Sequence, residues 1–443
     1  MLGSGARSRD ALGPTAVVRA WFASYALLGV VAAGVVPIAL PLLAERFAGA
    51  SAPGLVMGAF NLGMLAAPVW GTLADRSGRH RLIYAAGLGA VALAVGALSL
   101  QHALGWLVLL ALLAGLGASA TVTVASLFIT ERHARRTWPA RFGWLQTFYS
   151  GGQVAGLLVA GAFGAEHDAL AMAAAGLFAL LGVAMVRTVP VGAVTIRPVG
   201  VRPHLRLGDL TLGALMGRVH AGHLVAGLAR LPALARSGRS AFLEFLVAWF
   251  LNGVGGATLF SFYPLVMHHV FALSAGIASL AYAGAVAARV LLFRPAAAGT
   301  RRLGATAVFR IGVAVRLAAF LALAVTAVTQ PPHRDALAFV AFAVAVMAWS
   351  LLGVSGPDLA AETATLPKGQ AMGLYSAFGA VASVCGALLG SAVATTLGYG
   401  ALPWVGSAFL LAALTLAPRR AGDARGLPRT APGSAPAGRR PRG

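Results

Sequence analysis

The chain has 443 residues, of which 59% are hydrophobic and 10% are charged, and its mean hydropathy is +0.82. A soluble protein carries about 25% charged residues, so this composition excludes an ordinary soluble domain and indicates a chain surrounded by lipid. Its apolar runs reach the roughly 20 residues of a membrane-spanning helix, whereas barrel strands need only about 10. We therefore predict an all-α membrane protein, because a backbone in lipid must satisfy its hydrogen bonds internally.

Twelve apolar segments follow one another along the chain, and we predict that each forms one transmembrane helix. They lie at residues 18–43, 54–74, 82–101, 104–129, 141–164, 169–187, 241–266, 273–293, 308–329, 336–356, 371–397 and 400–417. The longest interruption falls between the sixth and the seventh segment. The sequence therefore predicts two six-helix halves.

Four regions result from this division: an N-terminal half over 1–187, a cytoplasmic linker over 188–240, a C-terminal half over 241–417 and a basic tail over 418–443. Two interpretations of the linker remain open. Its later part forms a helix on the anionic lipid surface, or the whole segment is a solvated loop. The tail is rich in proline and arginine, so we expect it to be disordered and to face lipid.

The net charge of +22 follows the predicted topology. With a cytoplasmic N-terminus, 31 of the 34 Lys and Arg residues fall in the tails and around the gaps after even-numbered helices. Arg46 and Arg334 lie on the other side, and Arg316 lies inside the ninth helix. This asymmetry is the positive-inside pattern. It predicts a multi-pass protein of the inner (plasma) membrane with both termini in the cytoplasm, and it explains the charge without nucleic acid.

Patterns that carry catalysis or metal binding are missing from the sequence. Cys385 is the single cysteine, which excludes disulfides within the chain and clusters of thiolate ligands. No zinc-protease, Walker or dinucleotide-binding motif stands in a suitable context. We therefore expect no enzymatic activity, no cofactor and no metal site.

One loop at the end of the second segment carries a family signature. Residues 71–81 read GTLADRSGRHR and resemble the loop G-x-L-x-D-R-x-G-R-(K/R)-x of the major facilitator superfamily, with His80 where a basic residue is usual. The resemblance implies a transporter whose two halves are latched by this loop when the central pathway faces outward. The gating motif would consist of Gly71, Asp75, Arg76, Gly78, Arg79 and Arg81. The alternative is that these residues only mark the topology.

Weaker matches resemble the twelve-span drug:proton antiporters within that superfamily. Gly152 and Gly156 in the fifth segment follow the glycine spacing of the antiporter helix, although Leu157 replaces its proline. Small residues four apart also serve plain helix packing. The branch's fourth-span arginine is replaced by Ala111, so the usual proton-coupling group is missing from its position.

Polar side chains inside the predicted helices are candidates for a substrate cavity, because lipid penalises them. Each one alone is also explained by a hydrogen bond between helices; as a set, they predict a mostly apolar, weakly polar pocket. The candidate for proton coupling is Glu244, which opens the seventh helix near the cytoplasm, or another acid at a helix end. Arg316 is expected to snorkel as a structural residue. The cavity candidates are Asn61, Gln146, Tyr149, Gln153, Asn252, Tyr263, Trp349 and Tyr375.

From these features we expect a secondary active transporter that exports hydrophobic or amphipathic small molecules by alternating access. Two alternatives remain: an uptake symporter for a neutral metabolite or sugar, and a non-transporting membrane receptor or assembly subunit. The expected partners are a small-molecule substrate, membrane lipid and protons, and we expect a monomer. The scarcity of charges deep in the predicted helices argues against a strongly anionic substrate.

Overall fold

The computed structural model describes residues 20–132, 137–164, 166–189, 241–364 and 368–418, and within these ranges it contains helices and no strand. The predictions for the linker and the tail concern residues that lie almost entirely outside the described ranges. Twelve long helices follow one another: α1 Trp21–Ala48, α2 Ala52–Ser77, α3 His80–Leu98, α4 Leu104–Arg132, α5 Trp138–Phe163, α6 Asp168–Thr188, α7 Ala241–Phe260, α8 Ala275–Leu303, α9 Ala305–Thr329, α10 Arg334–Thr363, α11 Lys368–Leu397 and α12 Leu402–Leu416.

Eleven of these described helices have the length and hydropathy of membrane spans, and α5, with 26 residues, is long enough to be the twelfth. The all-α prediction is therefore confirmed, and the chain is a multi-pass membrane protein. A short helix, Tyr263–His269, continues α7 after a turn. Gly304 alone separates α8 from α9; its φ of 85° lies in the left-handed region that suits glycine, so the chain reverses direction at this residue.

Each half of the bundle buries a hydrophobic core of its own. In the N-terminal half, large buried side chains such as Phe22 and Tyr84 pack together, and in the C-terminal half Phe245, Phe309 and Phe342 do so. Leucines on the outer faces remain highly exposed, as a surface that contacts lipid requires. The molecule thus consists of two packed six-helix bodies.

Glycines bring helix backbones into contact in equivalent places of the two halves. A Cβ on Gly156 of α5 would lie 2.9 Å from Cα of Gly34 in α1, and a Cβ on Gly386 of α11 would lie 2.5 Å from the Val254 carbonyl oxygen in α7. Gly156 and Gly386 are separated by 230 positions, the offset expected for a repeat of one half. Backbone packing within the N-terminal half accounts for the glycine spacing of α5, and the antiporter branch stays a prediction.

The two halves meet at one end of the bundle, opposite the loop that contains residues 71–81. We call these the closed end and the motif end. At the closed end, the Ser391 hydroxyl on α11 donates a 2.6 Å hydrogen bond to the Ser51 carbonyl, just before α2. On the other side of the interface, a Cβ on Gly161 of α5 would lie 3.2 Å from both Ser279 Cβ and the Gly276 carbonyl oxygen of α8. The halves are therefore tightly apposed there.

Candidate functional site

A cavity of about 470 Å³ lies between the two halves. On α2 it begins at Met57, one turn beyond the tight contact that Gly54 makes with Ala387 and Ser391 of α11. The closed end therefore seals the cavity from one side of the bundle. Helices α1 and α2 of one half and α7 to α11 of the other supply its walls, through Pro37, Met57, Asn61, Met64, Trp249, Asn252, Gly253, Gly256, Ala257, Phe260, Ser261, Tyr282, Arg289, Arg316, Val346, Trp349, Gly379, Ala380 and Ser383.

Arg316 of α9 is the most deeply buried charged residue of the cavity wall, with 2% of its surface exposed. It lies eleven residues into its helix, which is roughly 16 Å along the axis. Its Nη1 donates a 3.2 Å hydrogen bond to Asn252 Oδ1 on α7, and Gly256 on the same helix leaves room for the guanidinium. The expectation that Arg316 snorkels out of the membrane is therefore wrong, because the side chain points into the bundle.

A second arginine joins the two halves across the cavity. Arg289 Nη2 on α8 donates a 2.9 Å hydrogen bond to Gln153 Oε1 on α5. Tyr282, also on α8, lies within electrostatic reach of both Arg289 and Arg316. The cavity wall therefore contains two guanidinium groups, each held by a neutral amide oxygen.

Aromatic rings form the wall beside these cations. The Arg316 guanidinium lies 5.6 Å from the ring centre of Phe260 and 5.5 Å from that of Trp349, the range of cation–π contacts. Trp249 lies 6.1 Å from Trp349 and stacks on Tyr375 at 4.6 Å. This side of the cavity therefore offers flat apolar surfaces next to a positive charge.

The structure brings part of the predicted cavity set together. Asn61, Asn252 and Trp349 line the cavity, and Gln153 reaches it through Arg289. Tyr375 lies behind Trp249 as its stacking partner.

Three of the predicted residues and the coupling candidate are not among the residues that line the cavity. Tyr149 packs against Tyr25 within the N-terminal half and lies within electrostatic reach of Arg289. Gln146 is exposed, and the buried Tyr263 donates a 2.7 Å hydrogen bond to the Ala278 carbonyl. Glu244 lies in the first turn of α7, five residues before the first cavity residue of that helix, Trp249.

The predicted gating motif forms the end of α2 and the turn that follows it. Gly78 has a φ of 63° and caps the helix, with its N–H donating to the Ala74 carbonyl at 2.9 Å. Asp75, Arg76 and Arg79 are exposed at this end, and Arg81 is partly buried in α3. A Cβ on Gly71 would lie 3.7 Å from the Thr123 Cγ2 of α4, an ordinary contact distance. The charges of the motif are thus exposed at the motif end, whereas the contacts that seal the cavity lie at the closed end.

A polar cluster joins the halves at the closed end. His269 Nε2 lies 3.0 Å from both carboxylate oxygens of Glu45, near the end of α1, and the Tyr399 hydroxyl donates to the same carboxylate. The His269 ring also stacks on Tyr399 at 4.7 Å. Glu45 belongs to one half and its two partners to the other, so this cluster is a polar latch across the interface.

Arg289 was missing from the predicted cavity because the eighth span was predicted to end at residue 293. The helix continues to Leu303, where Arg301 and Arg302 form its basic last turn. That arginine pair is the signal in the sequence that places the membrane boundary later and Arg289 deeper.

The family model described as Major Facilitator Superfamily matches residues 21–368. Similar solved structures include the nucleoside transporter NupG, with 15% identity, a TM-score of 0.67 and coverage of 90% of this chain and 95% of that one. The inward open xylose transporter XylE from E. coli has 15% identity and a TM-score of 0.65, with coverage of 89% of this chain and 94% of that one. The human organic anion transporter MFSD10 has 18% identity and a TM-score of 0.57, with coverage of 90% of this chain and 98% of that one.

No curated protein matches the chain. At these identities the structural likeness shows the fold alone, whereas the family match spans more than three quarters of the sequence. With its helices, two halves and central cavity, the chain belongs to the major facilitator superfamily of secondary transporters.

Proposed function

We propose that this protein exports hydrophobic or amphipathic small molecules by alternating access, as a monomer with both termini in the cytoplasm. The observation that supports this most directly is a cavity between two bodies that are sealed together at one end. In a second state, the closed end would part and the motif end would close around the same cavity. A substrate bound in the cavity would then cross the membrane without passing through an open channel.

The charge distribution indicates the side of the membrane from which the cavity is reached. Under the positive-inside rule, the exposed arginines of the motif end face the cytoplasm. The conformation is then inward-facing, with the Glu45 latch on the external side. Substrate enters this state from the cytoplasm, as export requires.

A disulfide across the closed end tests alternating access directly. Gly161 and Ser279 are suited to this, because their Cβ positions would lie 3.2 Å apart, close to the range of about 3.5–4.5 Å found in disulfides. In a Cys385→Ser background, the pair Gly161→Cys and Ser279→Cys should stop flux when oxidised and restore it when reduced. The two single-cysteine variants are the controls. Full flux with the disulfide formed would exclude rocking of these halves.

Direction and cargo are tested by counterflow in proteoliposomes with a panel of dyes, antibiotics and sugars, followed by flux in vesicles of known orientation. Export predicts accumulation in inside-out vesicles. Accumulation in right-side-out vesicles would instead support the uptake symporter, and absence of exchange for every compound would favour the non-transporting receptor.

Coupling to protons is part of the proposal, in line with the resemblance to the drug:proton antiporters. Glu244, in the first turn of α7, is its candidate group. Replacing Glu244 by Gln should remove the pH dependence of flux while leaving counterflow intact. An unchanged pH profile would eliminate this residue from the mechanism.

A further inference from the structure

The cavity contains two cations and no counter-charge among the residues that the structure describes. No Asp or Glu belongs to the residues that line it. Three of the described acids are engaged elsewhere: Glu45 with His269, Asp168 with Arg46, and Asp335 with Arg334. Arg289 and Arg316 therefore carry a net positive charge into the interior of the bundle.

Four hydrogen-bond donors of residues that line the cavity have no acceptor among the described residues. Within the described part of the chain, the Nε atoms of Arg289 and Arg316 are buried without a hydrogen-bond partner, and so are Asn252 Nδ2 and Trp249 Nε1. A buried charge that stays unpaired is costly, and so is a buried donor without an acceptor. A negatively charged hydrogen-bond acceptor would satisfy both the charge and the donors of this site.

The aromatic side chains beside the two arginines indicate what the rest of the ligand is made of. Trp349 and Phe260 flank Arg316, and Trp249 lies beside Trp349. These rings suit an apolar or aromatic body attached to the acceptor group. The volume of about 470 Å³ belongs to the range of small-molecule sites.

We propose that the cavity binds an organic carboxylate. Its carboxylate accepts hydrogen bonds from Arg289, Arg316 and the Asn252 amide, and its apolar body lies against Trp249, Trp349 and Phe260. This inference rests on the proposed transport function and names the substrate class of the same site. It replaces the sequence-based argument against a strongly anionic substrate, which assumed that few charges lie deep in the bundle.

Binding to the purified full-length protein tests the proposal with matched pairs of compounds: benzoate and benzyl alcohol, phenylacetate and phenylethanol, octanoate and octanol. Affinity is measured by titration calorimetry and by the ligand-induced rise in unfolding temperature. At least one carboxylate should bind about tenfold more tightly than its alcohol, since a hydrogen bond to a charged group contributes at least that factor. Benzylamine, which carries a positive charge, should bind more weakly than both benzoate and benzyl alcohol.

Substitutions assign the effect to the two arginines. Arg289→Gln and Arg316→Gln should each weaken carboxylate binding about tenfold and leave alcohol binding nearly unchanged. Arg294→Gln is the matched control, because Arg294 is exposed on the same helix as Arg289. If Arg316→Gln does not fold, Arg316→Lys takes its place. This variant keeps the positive charge and should retain part of the preference for the carboxylate.

Two results would overturn the inference: equal affinity for carboxylates and alcohols in all pairs, or a preference that survives both Gln substitutions. Flux in proteoliposomes distinguishes failure of the carboxylate inference from failure of the proposed transport function. A carboxylate that binds through both arginines but never exchanges would contradict transport alone. Exchange of alcohols and amines with no preference for anions would contradict the carboxylate site alone.

Discussion

The guanidinium of Arg289 on α8 and the amide of Gln153 on α5 form a 2.9 Å hydrogen bond that joins the two halves of the bundle. Gln153 is 7% exposed, so this bond is shielded from solvent. In the proposed alternating-access cycle, helix α8 moves relative to α5 when the closed end parts. The strength of this one contact would then contribute to the balance between the two states.

Replacing Gln153 by Glu should lower turnover and raise thermal stability. The new carboxylate would pair with Arg289 inside the bundle, and a charge-assisted hydrogen bond is roughly twice as strong as a neutral one. It would also neutralise one of the cavity's cations, so carboxylate affinity should fall. Turnover in proteoliposomes and the unfolding temperature in detergent are the measurements.

Gln146→Glu is the matched control for this change, because Gln146 lies two turns earlier on α5 and is exposed. It should leave both turnover and unfolding temperature near those of the parent protein. Equal turnover in the Gln153→Glu and Gln146→Glu variants would show that the Arg289 contact does not affect the transport cycle.

Removing one hydroxyl from the polar latch should make the closed end open more often. Tyr399→Phe deletes the hydrogen bond to Glu45 while keeping the ring that stacks on His269. Loss of a hydrogen bond to a charged group costs about 1.5–3 kcal/mol, which shifts a two-state equilibrium at least about tenfold toward the open end. Glu45→Gln should act in the same direction, because it removes the carboxylate that both His269 and Tyr399 contact.

Labelling from outside measures this shift. Ser261, which lines the cavity and is 5% exposed, serves as the reporter when it is replaced by Cys in a Cys385→Ser background. A membrane-impermeant maleimide should label it faster in the Tyr399→Phe variant. His333→Asn, at an exposed residue just before α10, is the control. Identical labelling rates in the parent reporter protein and in its Tyr399→Phe and His333→Asn variants would mean that the latch does not hold this end.

Asp75→Asn should slow transport several-fold without lowering the amount of protein in the membrane. Asp75 is exposed at the motif end in this conformation, so the substitution removes no buried contact here. Its effect would arise in the state where the motif end closes and the carboxylate meets the start of α11. Asp335→Asn, in an exposed pair at the start of α10, is a control that should be neutral. Normal flux in the Asp75→Asn variant would leave the motif a marker of topology.

The spans were predictable from the sequence because a bilayer demands about 20 apolar residues wherever a helix crosses it. Whether a single side chain points into the bundle or out of it could not be predicted in the same way. Arg316 is the example: an arginine inside a span either snorkels or points into a cavity, and only the packing of α7 beside α9, with Gly256 leaving space, separates the two.

Tyr263 shows the same difficulty from the other side. Its hydroxyl suggested a cavity residue, but the neighbouring Ala278 carbonyl takes its hydrogen bond, and Phe342 stacks on its ring at 3.7 Å. Helical spacing places a polar group on a face of its own helix, but it does not say which helix covers that face. The part of the site that could be predicted, Asn61, Asn252 and Trp349, lies on helices that border the interface between the halves.

Gly156→Val should destabilise the N-terminal half more than any substitution discussed above. The added Cβ would lie 2.9 Å from Cα of Gly34 and would also meet the Val30 backbone, and backbone atoms cannot rotate away as a side chain can. Overpacking of a core costs about 1–3 kcal/mol even where side chains adjust, so we expect a lower unfolding temperature and a loss of monodisperse protein on size exclusion.

Gly151→Ala is the control on the same helix, because a Cβ there meets no atom within 4 Å among the described residues. Replacing that helical glycine should be neutral or stabilise by up to about 1 kcal/mol. If both variants were equally stable, α1 and α5 would have to be farther apart than their glycines indicate, and the glycine pattern would then be free to serve the antiport mechanism that it resembles.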